Sequence, residues 1–410
     1  MINTIFIIIS IPLTVFGLYY FFTGLFGFFR PHKSPIKSHD PKHKFAILIA
    51  ARNEEAVIGS LVHSLKEQDY PKELYDIFVI PNNCTDNTKG AAIEAGATVL
   101  NCKIPVKNKG DVLRYIFKKL KKNKDIDAYI LFDADNVVDK RFISRMNDAL
   151  CEGYEIAQGN RDSKNPNDTW VSGAMSISYW MLNIFYNKAR INFRGSALIN
   201  GTGFMVKKSI IDSEGYNTTS ITEDLEYTIQ SMLNGRKVMF VEDAITYDEQ
   251  PLTFKQAMIQ KSRWTSGEVQ ALKWYYIKVL KTFLKTRNPV LFDISFRLFA
   301  PIFQVVGMLM PVAVACVTLY PLNKTEFFST LLFYIIYLAV IYIANVLFFL
   351  HNAAYYKKLK NSKVIAGAFT LPLLILTWVP IVVKCLFVTD KKWIEIKHTK
   401  NVKIHEMIKE

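Results

Sequence analysis

Residues 128–136 read Ala-Tyr-Ile-Leu-Phe-Asp-Ala-Asp-Asn, a short apolar run that ends in two carboxylates one residue apart. A run of this kind bounded by a polar turn predicts a buried strand. In an extended chain residues two apart point to the same side, so Asp133 and Asp135 aim at one point beyond the strand end. Paired oxygen donors suit Mg2+ or Mn2+ held against a diphosphate. The plain alternative is an acidic turn after a strand, and the surrounding sequence has to decide.

The same pattern recurs upstream. Residues 44–51 (KFAILIAA) lead into Arg52-Asn53-Glu54-Glu55 and an amphipathic stretch to Gln68. Residues 76–80 (DIFVI) lead into the polar turn 81–88, which holds Asn82 and Asp86, and a further helical stretch; residues 97–100 open a third such unit and 128–132 a fourth. Strands alternating with helices, each strand delivering polar residues at its carboxyl end, predict a parallel α/β sheet of the nucleotide-binding type with its ligand site at those ends. Lys107-Asn108-Lys109-Gly110 precedes a predicted helix over 111–120. A lysine near a helix start can meet phosphate, although a solvated lysine pair is the simpler reading of that segment alone.

Downstream, a glycine-rich stretch (Gly195, Gly201, Gly203) precedes Thr222-Glu223-Asp224, which opens a predicted amphipathic helix from Leu225. Acids in a first helical turn complement the dipole, and Ser220 with Glu223 has capping-box spacing. The functional alternative makes Asp224 a general base that takes a proton from an attacking hydroxyl; beside a divalent cation its carboxylate stays ionised. Gln260-Lys261-Ser262-Arg263-Trp264 follows. On a helix, Gln260, Arg263 and Trp264 share one face. Arg263 can fork onto phosphate oxygens, Gln260 can fix a hydroxyl, and Trp264 offers a flat face on which a pyranose can stack. Alone, the pentapeptide is equally an interfacial helix with one Trp.

The chain has 410 residues, half of them apolar, and a formal charge of +15. That charge would suit nucleic acid if it formed one patch, but the Lys and Arg residues gather at the flanks of apolar tracts, as Arg30, Lys33, Lys37, Lys42 and Lys44 and as Lys273, Lys278, Lys281, Lys285 and Arg287. The positive-inside rule then puts the polar middle of the chain in the cytoplasm, with no role for nucleic acid. Residues 2–29 carry no charge and lack a cleavage pattern, which predicts a retained transmembrane helix. Residues 289–320, 327–350 and 364–388 are each long enough to span, the first with an interfacial start at Asp293 and Arg297. One span before and three after would put both termini outside, against the basic tail from Lys391. Either 364–388, broken by Pro372 and Pro380, re-enters, or the count of spans is off by one. Five cysteines without CxxC spacing fit a reducing compartment and exclude a cysteine-ligated zinc site, and the histidines have no ligand spacing.

Taken in order, Asp86, Asp133-Ala134-Asp135, Thr222-Glu223-Asp224 and Gln260-Lys261-Ser262-Arg263-Trp264, the chain resembles the membrane-embedded family 2 glycosyltransferases of the processive type, the group of cellulose, hyaluronan, chitin and poly-N-acetylglucosamine synthases. The resemblance implies a GT-A-type α/β nucleotide-sugar domain inserted between transmembrane helices, with amphipathic interface helices and a helical membrane bundle. It divides the chain into a transmembrane helix (1–30), a cytoplasmic GT-A domain (40–250), interface helices (251–288), a membrane bundle (289–390) and a basic tail (391–410). Trp393 and His398 match a cytoplasmic segment found after the last span in this group. It further implies that Arg52, Asn53 and Glu54 line the nucleotide pocket, with Asp86 at its base and ribose side. Asp133 and Asp135 would hold the donor and its Mg2+ or Mn2+, Asp135 being the closer ligand. Asp224 would be the base, and Gln260, Arg263 and Trp264 would secure the diphosphate and the acceptor end. Gly201, Thr202 and Glu223 fall where such enzymes bind the acceptor. Where many relatives carry an acid beside the nucleobase this chain has Asn82, whose amide oxygen can still accept from a uracil N–H. The arginine motif of hyaluronan synthases is absent.

The implied reaction inverts an α-linked UDP-sugar into a β-linked polysaccharide, extended at the plasma membrane and passed across it, with accessory subunits for export. The alternatives are single-sugar transfer to a membrane lipid, and a transporter or scaffold with an inactive domain.

Overall fold

The computed structural model describes residues 2–29, 36–320, 323–388, 400–402, 404 and 407. Trp393, His398, Arg30, Lys33 and most of the basic tail lie outside the described residues. The chain begins with helix α1 (Ile2–Phe29), then β1 (Phe45–Ala51), α2 (Ile58–Lys66), β2 (Tyr75–Pro81), α3 (Thr88–Glu94), β3 (Thr98–Val99), α4 (Lys109–Leu120), β4 (Ala128–Asp133), β5 (Val137–Val138) and α5 (Phe142–Cys151). It continues through β6 (Ile156–Ser163), α6 (Trp170–Met181), a π-helical stretch (Leu182–Lys188), α7 (Ala189–Asn192), β7 (Phe204–Lys207), α8 (Lys208–Glu214), α9 (Glu223–Leu233) and β8 (Met239–Asp248). Five helices close it: α10 (Phe254–Thr286), α11 (Pro289–Leu319), α12 (Lys324–Tyr355), α13 (Ser362–Leu376) and α14 (Trp378–Phe387).

The strands form one sheet in the order β3-β2-β1-β4-β7-β6-β8-β5. The first four run parallel, as the sequence pattern predicts, with Leu48 opposite Phe78 and Leu131. The sheet is nevertheless mixed, because β7 pairs antiparallel with both β4 and β6. Its four residues follow a long helical excursion and carry no signal of direction.

Strand β1 reads as an unbroken apolar run because both of its faces are covered. Ile47 and Ile49 pack with α2 and α5 through Leu61, Val62 and Phe142, while Ala46 and Leu48 pack with α4 and α8 through Leu113, Ile116 and Ile210. Parallel strands sandwiched by helices leave their carboxyl ends as the open edge, and the loops after β1, β2 and β4 gather there.

Two helix starts differ from the sequence reading. Helix α4 begins at Lys109, capped by the Asn108 side chain, which accepts from the Asp111 N–H. Helix α9 begins at Glu223, and no capping box forms from Ser220. Its hydroxyl donates to Thr222 O, and it is Glu226 that accepts from the N–H groups of Thr219 and Ser220.

Among the described residues, four helices are long and apolar enough to cross a membrane: Phe6–Phe28, Pro289–Leu319, Thr325–Tyr355 and Ser362–Phe387. The last is divided at Thr377 into α13 and α14. Side by side, α14 follows α10. Thr377 Oγ1 donates to Met258 Sδ at 3.3 Å, the Lys261 ammonium lies 4.1 Å from the Trp378 ring centre, Ser266 meets Cys385 at 3.3 Å, and Lys273 Nζ donates to Leu386 O. Asp293 is buried and Arg297 half-buried, each against a charged partner. Asp293 takes Arg190 together with the hydroxyls of Tyr19 and Tyr186, which ties α1 and the π-helical stretch to α11, and Arg297 pairs with Glu268 of α10.

Helices α6 and α13 cross at two glycines. A Cβ on Gly173 would lie 2.6 Å from Lys363 O, and one on Gly367 would lie 2.5 Å from Ala174 N. Gly173→Val or Gly367→Val therefore forces the backbones apart at a cost of about 3 kcal/mol. The expected result is a fall in monodisperse protein recovered in detergent, with Gly17→Val unaffected because nothing lies within 4 Å of that site.

Candidate active site

At the open edge, the loop after β1 turns at Asn53, whose φ of 57° lies in the left-handed region that asparagine tolerates. Asn53 Oδ1 accepts from the Thr85 N–H at 2.8 Å, and the Asp86 carboxylate accepts from the N–H groups of Glu55 and Thr88, both at 3.1 Å. Burial pushes the Asp86 carboxyl up, but the bonds from Thr88 and Glu55 outweigh it and hold it below its ordinary value. Asn53 and Asp86 thus brace the first two loops against each other and do not line the cleft between them. Arg52, Glu54 and Asn82 do line it. Asn82 Nδ2 donates to Ala51 O at 3.0 Å, which leaves its amide oxygen as the acceptor.

Asp133 and Asp135, at the end of β4, sit differently. Asp135 is buried, and its Oδ2 accepts from the Glu249 N–H at 3.3 Å. Asp133 is more open, and its Oδ1 takes the Lys109 ammonium at 2.5 Å. Lys109 is no solvated lysine. It also donates to Gly201 O at 2.6 Å and lies 3.7 Å from Glu223 Oε1. Burial alone would lower its pKa; Asp133 and Glu223 more than reverse that, so the group stays charged. One cation therefore holds together the end of β4, the glycine loop and the start of α9.

That loop needs its glycines. Gly201 has φ +82°, and a Cβ there would come within 3.2 Å of Asp224 Oδ2. Thr202 is fully buried; its hydroxyl accepts from the Asp133 N–H at 3.0 Å and meets Asn136, so it shapes the loop and does not face the cleft. Burial pushes the Asp224 carboxyl up, against the Leu225 N–H, Lys109 and Arg161, and pushes Glu223 up to about 7.

From α10 come Gln260, Arg263 and Trp264. Gln260 Oε1 is buried without a hydrogen-bond partner among the described residues, and Arg263 makes neither a hydrogen bond nor an ion pair among them. Buried polar atoms are seldom left unpaired, so Gln260 points to a polar ligand in the cleft, which Arg263 also lines. Trp264 stands edge-on to Tyr179, ring centres 5.8 Å apart.

The cleft has two halves that share Lys109, Asp133, Arg161, Gln260 and Arg263. One half is closed by Arg52, Glu54, Asn82 and Asp135, the other by Glu223, Asp224, Trp264 and Trp274. Among the lining residues that escape the sequence reading are Arg161, Asp248, Glu249 and Trp274. Arg161 binds Asp248 Oδ2 through Nε and Nη2 at 3.0 and 2.6 Å and lies 4.2 Å from the Tyr179 ring centre. Burial pushes Asp248 up to about 6 despite Arg161. Asp248 ends β8 and Glu249 follows it, as the other strands end in polar turns, so the same rule could have found them. Arg161 inside a strand gave no signal.

Among the described residues no three His, Cys, Asp or Glu side chains gather closely enough to enclose a metal ion. The oxygen donors Asp133 and Asp135 still suit a hard divalent ion, which commonly takes one or two carboxylates and completes its shell with water and substrate phosphates.

A mixed sheet with this cleft at its strand ends is a GT-A-like α/β glycosyltransferase fold, joined here to helices long and apolar enough to span a membrane. Residues 41–267 match the family described as glycosyltransferase like family 2, and the chain belongs to it. It is 27% identical over 357 residues to the probable glycosyltransferase YdaM of Bacillus subtilis, covering 82% of each chain. It is 26% identical over 252 residues to a beta-monoglucosyldiacylglycerol synthase of Nostoc, covering 59% of this chain and 53% of that one, about half its length. A solved mannosyltransferase from Pyrobaculum calidifontis, in complex with GDP-Man and Mn2+, shares the fold with a TM-score of 0.60 at 15% identity, over 91% of this chain and 99% of that one.

Proposed function

We propose that this glycosyltransferase moves one sugar from a nucleoside diphosphate sugar, UDP-linked, to the hydroxyl of a diacylglycerol-type lipid at the membrane surface, inverting the anomeric carbon. Arg52, Glu54 and Asn82 take the nucleotide, and Arg263 forks onto the diphosphate. Asp135, with Asp133, holds Mg2+ or Mn2+, in keeping with the Mn2+ of the Pyrobaculum calidifontis enzyme. The metal's chemistry is to neutralise the leaving diphosphate. Asp224 Oδ2 takes the proton of the acceptor hydroxyl as its oxygen bonds the anomeric carbon and the bond to the diphosphate breaks. Gln260 fixes a sugar or acceptor hydroxyl.

The observation that carries the acceptor class is the packing of the spans. In α12, Leu332, Phe333, Ile335, Ile336, Tyr337, Leu338, Val340, Ile341 and Ile343 are all exposed, on every side of the helix, so this helix does not line a lumen through which a polymer could pass. The cations that act on Asp224, Lys109 and Arg161, are already bound to Asp133, Glu223 and Asp248, which favours a neutral hydroxyl over a phosphate-bearing acceptor. The similarity to glucosyldiacylglycerol synthases supports the same reading.

In this reading α1, α11 and α12 cross the membrane, while α13 and α14 lie along α6 and α10 at its surface. That returns the chain to the side of the catalytic domain, where the Lys400 N–H meets Glu249 at 3.0 Å and the Lys400 ammonium meets Asp168 at 2.7 Å. The basic flanks make that side the cytoplasm. The conflict between an odd tally of spans and a basic tail then disappears.

Processive polymer synthesis is the second reading, favoured by Trp264, whose indole in the acceptor half could support a growing sugar end. Supplying membranes with UDP-glucose, UDP-galactose, UDP-N-acetylglucosamine or UDP-glucuronate and sizing the product decides between them. A single organic-soluble glycolipid is expected; a high-mass polymer would overturn the lipid reading.

A further inference from the structure

Trp274 lines the same half of the cleft as Asp224 and Trp264, yet 52% of it remains exposed, at the outer mouth. It stands on α10, the long helix that carries Arg263 and leads through residues 287 and 288 into α11. Ile277, one turn further on, and Leu284 are likewise exposed at 59% and 52%. Lys278, Lys281 and Lys285 lie interspersed with these apolar side chains. Large apolar side chains mixed with lysines on one exposed helix face suit the boundary of a bilayer, where lysine stems lie along apolar surface and their heads reach water. Trp belongs at such a boundary, one edge dry and one wet. The cleft is thus continuous, from the Asp224 carboxylate past Trp264 to an indole on the membrane-facing helix.

We infer that Trp274 is the residue that admits and orients the lipid acceptor, which slides along α10 from the bilayer and rests its glycerol backbone against the indole while its hydroxyl reaches Asp224. The inference rests on the lipid reading above and extends it to a specificity-determining residue. Trp264, half-buried and held edge-on by Tyr179, has less freedom to do this than the open indole ten residues later on the helix.

The test uses full-length protein, diacylglycerol in mixed detergent micelles as acceptor and UDP-glucose as donor. Trp274→Ala should raise the acceptor KM, as surface mole fraction, by about tenfold, as expected for the loss of one aromatic contact. Its kcat at saturating acceptor and its slow release of UDP without acceptor should stay at the wild-type level, and Trp274→Phe should restore most of the acceptor KM. A merely structural indole would lower both activities together and would not split KM from kcat. An unchanged acceptor KM, or an equal loss of acceptor-independent release, overturns the inference while leaving the lipid reading intact. A wild-type enzyme that makes no glycolipid from diacylglycerol overturns both.

Discussion

Replacing Asp224 with Asn is expected to lower nucleotide release by about three orders of magnitude, the usual worth of a positioned general base. The amide keeps the shape and the Leu225 N–H contact but cannot take a proton. Nucleotide-sugar binding, followed by quenching or calorimetry, should hardly change, because Arg52, Glu54 and Asn82 lie in the other half of the cleft. The pH profile gives a second readout. Burial pushes the Asp224 carboxyl above its ordinary range. A base must be deprotonated, so the rate falls as pH drops through that raised value, and the acid limb of kcat/KM lies above the usual carboxylate region near pH 4. Wild-type activity in Asp224→Asn would remove Asp224 from this role.

Asp135→Asn should cost about two orders of magnitude in rate, the scale seen when one group that stabilises developing charge is lost. It should also raise the Mn2+ or Mg2+ concentration needed for half-maximal activity, and chelation with EDTA should abolish wild-type release. Asp86→Asn is the informative contrast. Its carboxylate braces two loops by accepting N–H groups, so the change should loosen the fold and leave the metal requirement as it was. If the two variants shift the metal titration equally, Asp135 is not the closer ligand.

Much of the sheet was legible because β1 and β4 bury both faces and each parallel strand leads into a polar turn, a pattern that survives without any knowledge of packing. The same rule located Arg52, Asp133 and Asp135. It failed at β7, where four residues return after a helical excursion and direction is decided by partners far apart in sequence. Lys109 illustrates the limit at the site. As sequence it is one of two lysines near a helix start, and only the fold brings Asp133, Gly201 and Glu223 around its ammonium. Asp86 shows the converse, a residue singled out by the pattern of a family whose carboxylate here serves a neighbouring loop. Trp274 was hidden because an indole on an amphipathic helix is ordinary until the cleft beside it is seen.

The contact between residue 400 and Glu249 has a practical side. Glu249 donates its N–H to Asp135, so residue 400 is tied directly beside the carboxylates proposed to hold the metal. A polyhistidine tag placed there brings imidazoles that compete for the very ion the assay supplies, and purification on nickel would strip or replace it. Tagging ahead of α1 avoids both artefacts and leaves metal titrations to report on Asp133 and Asp135 alone.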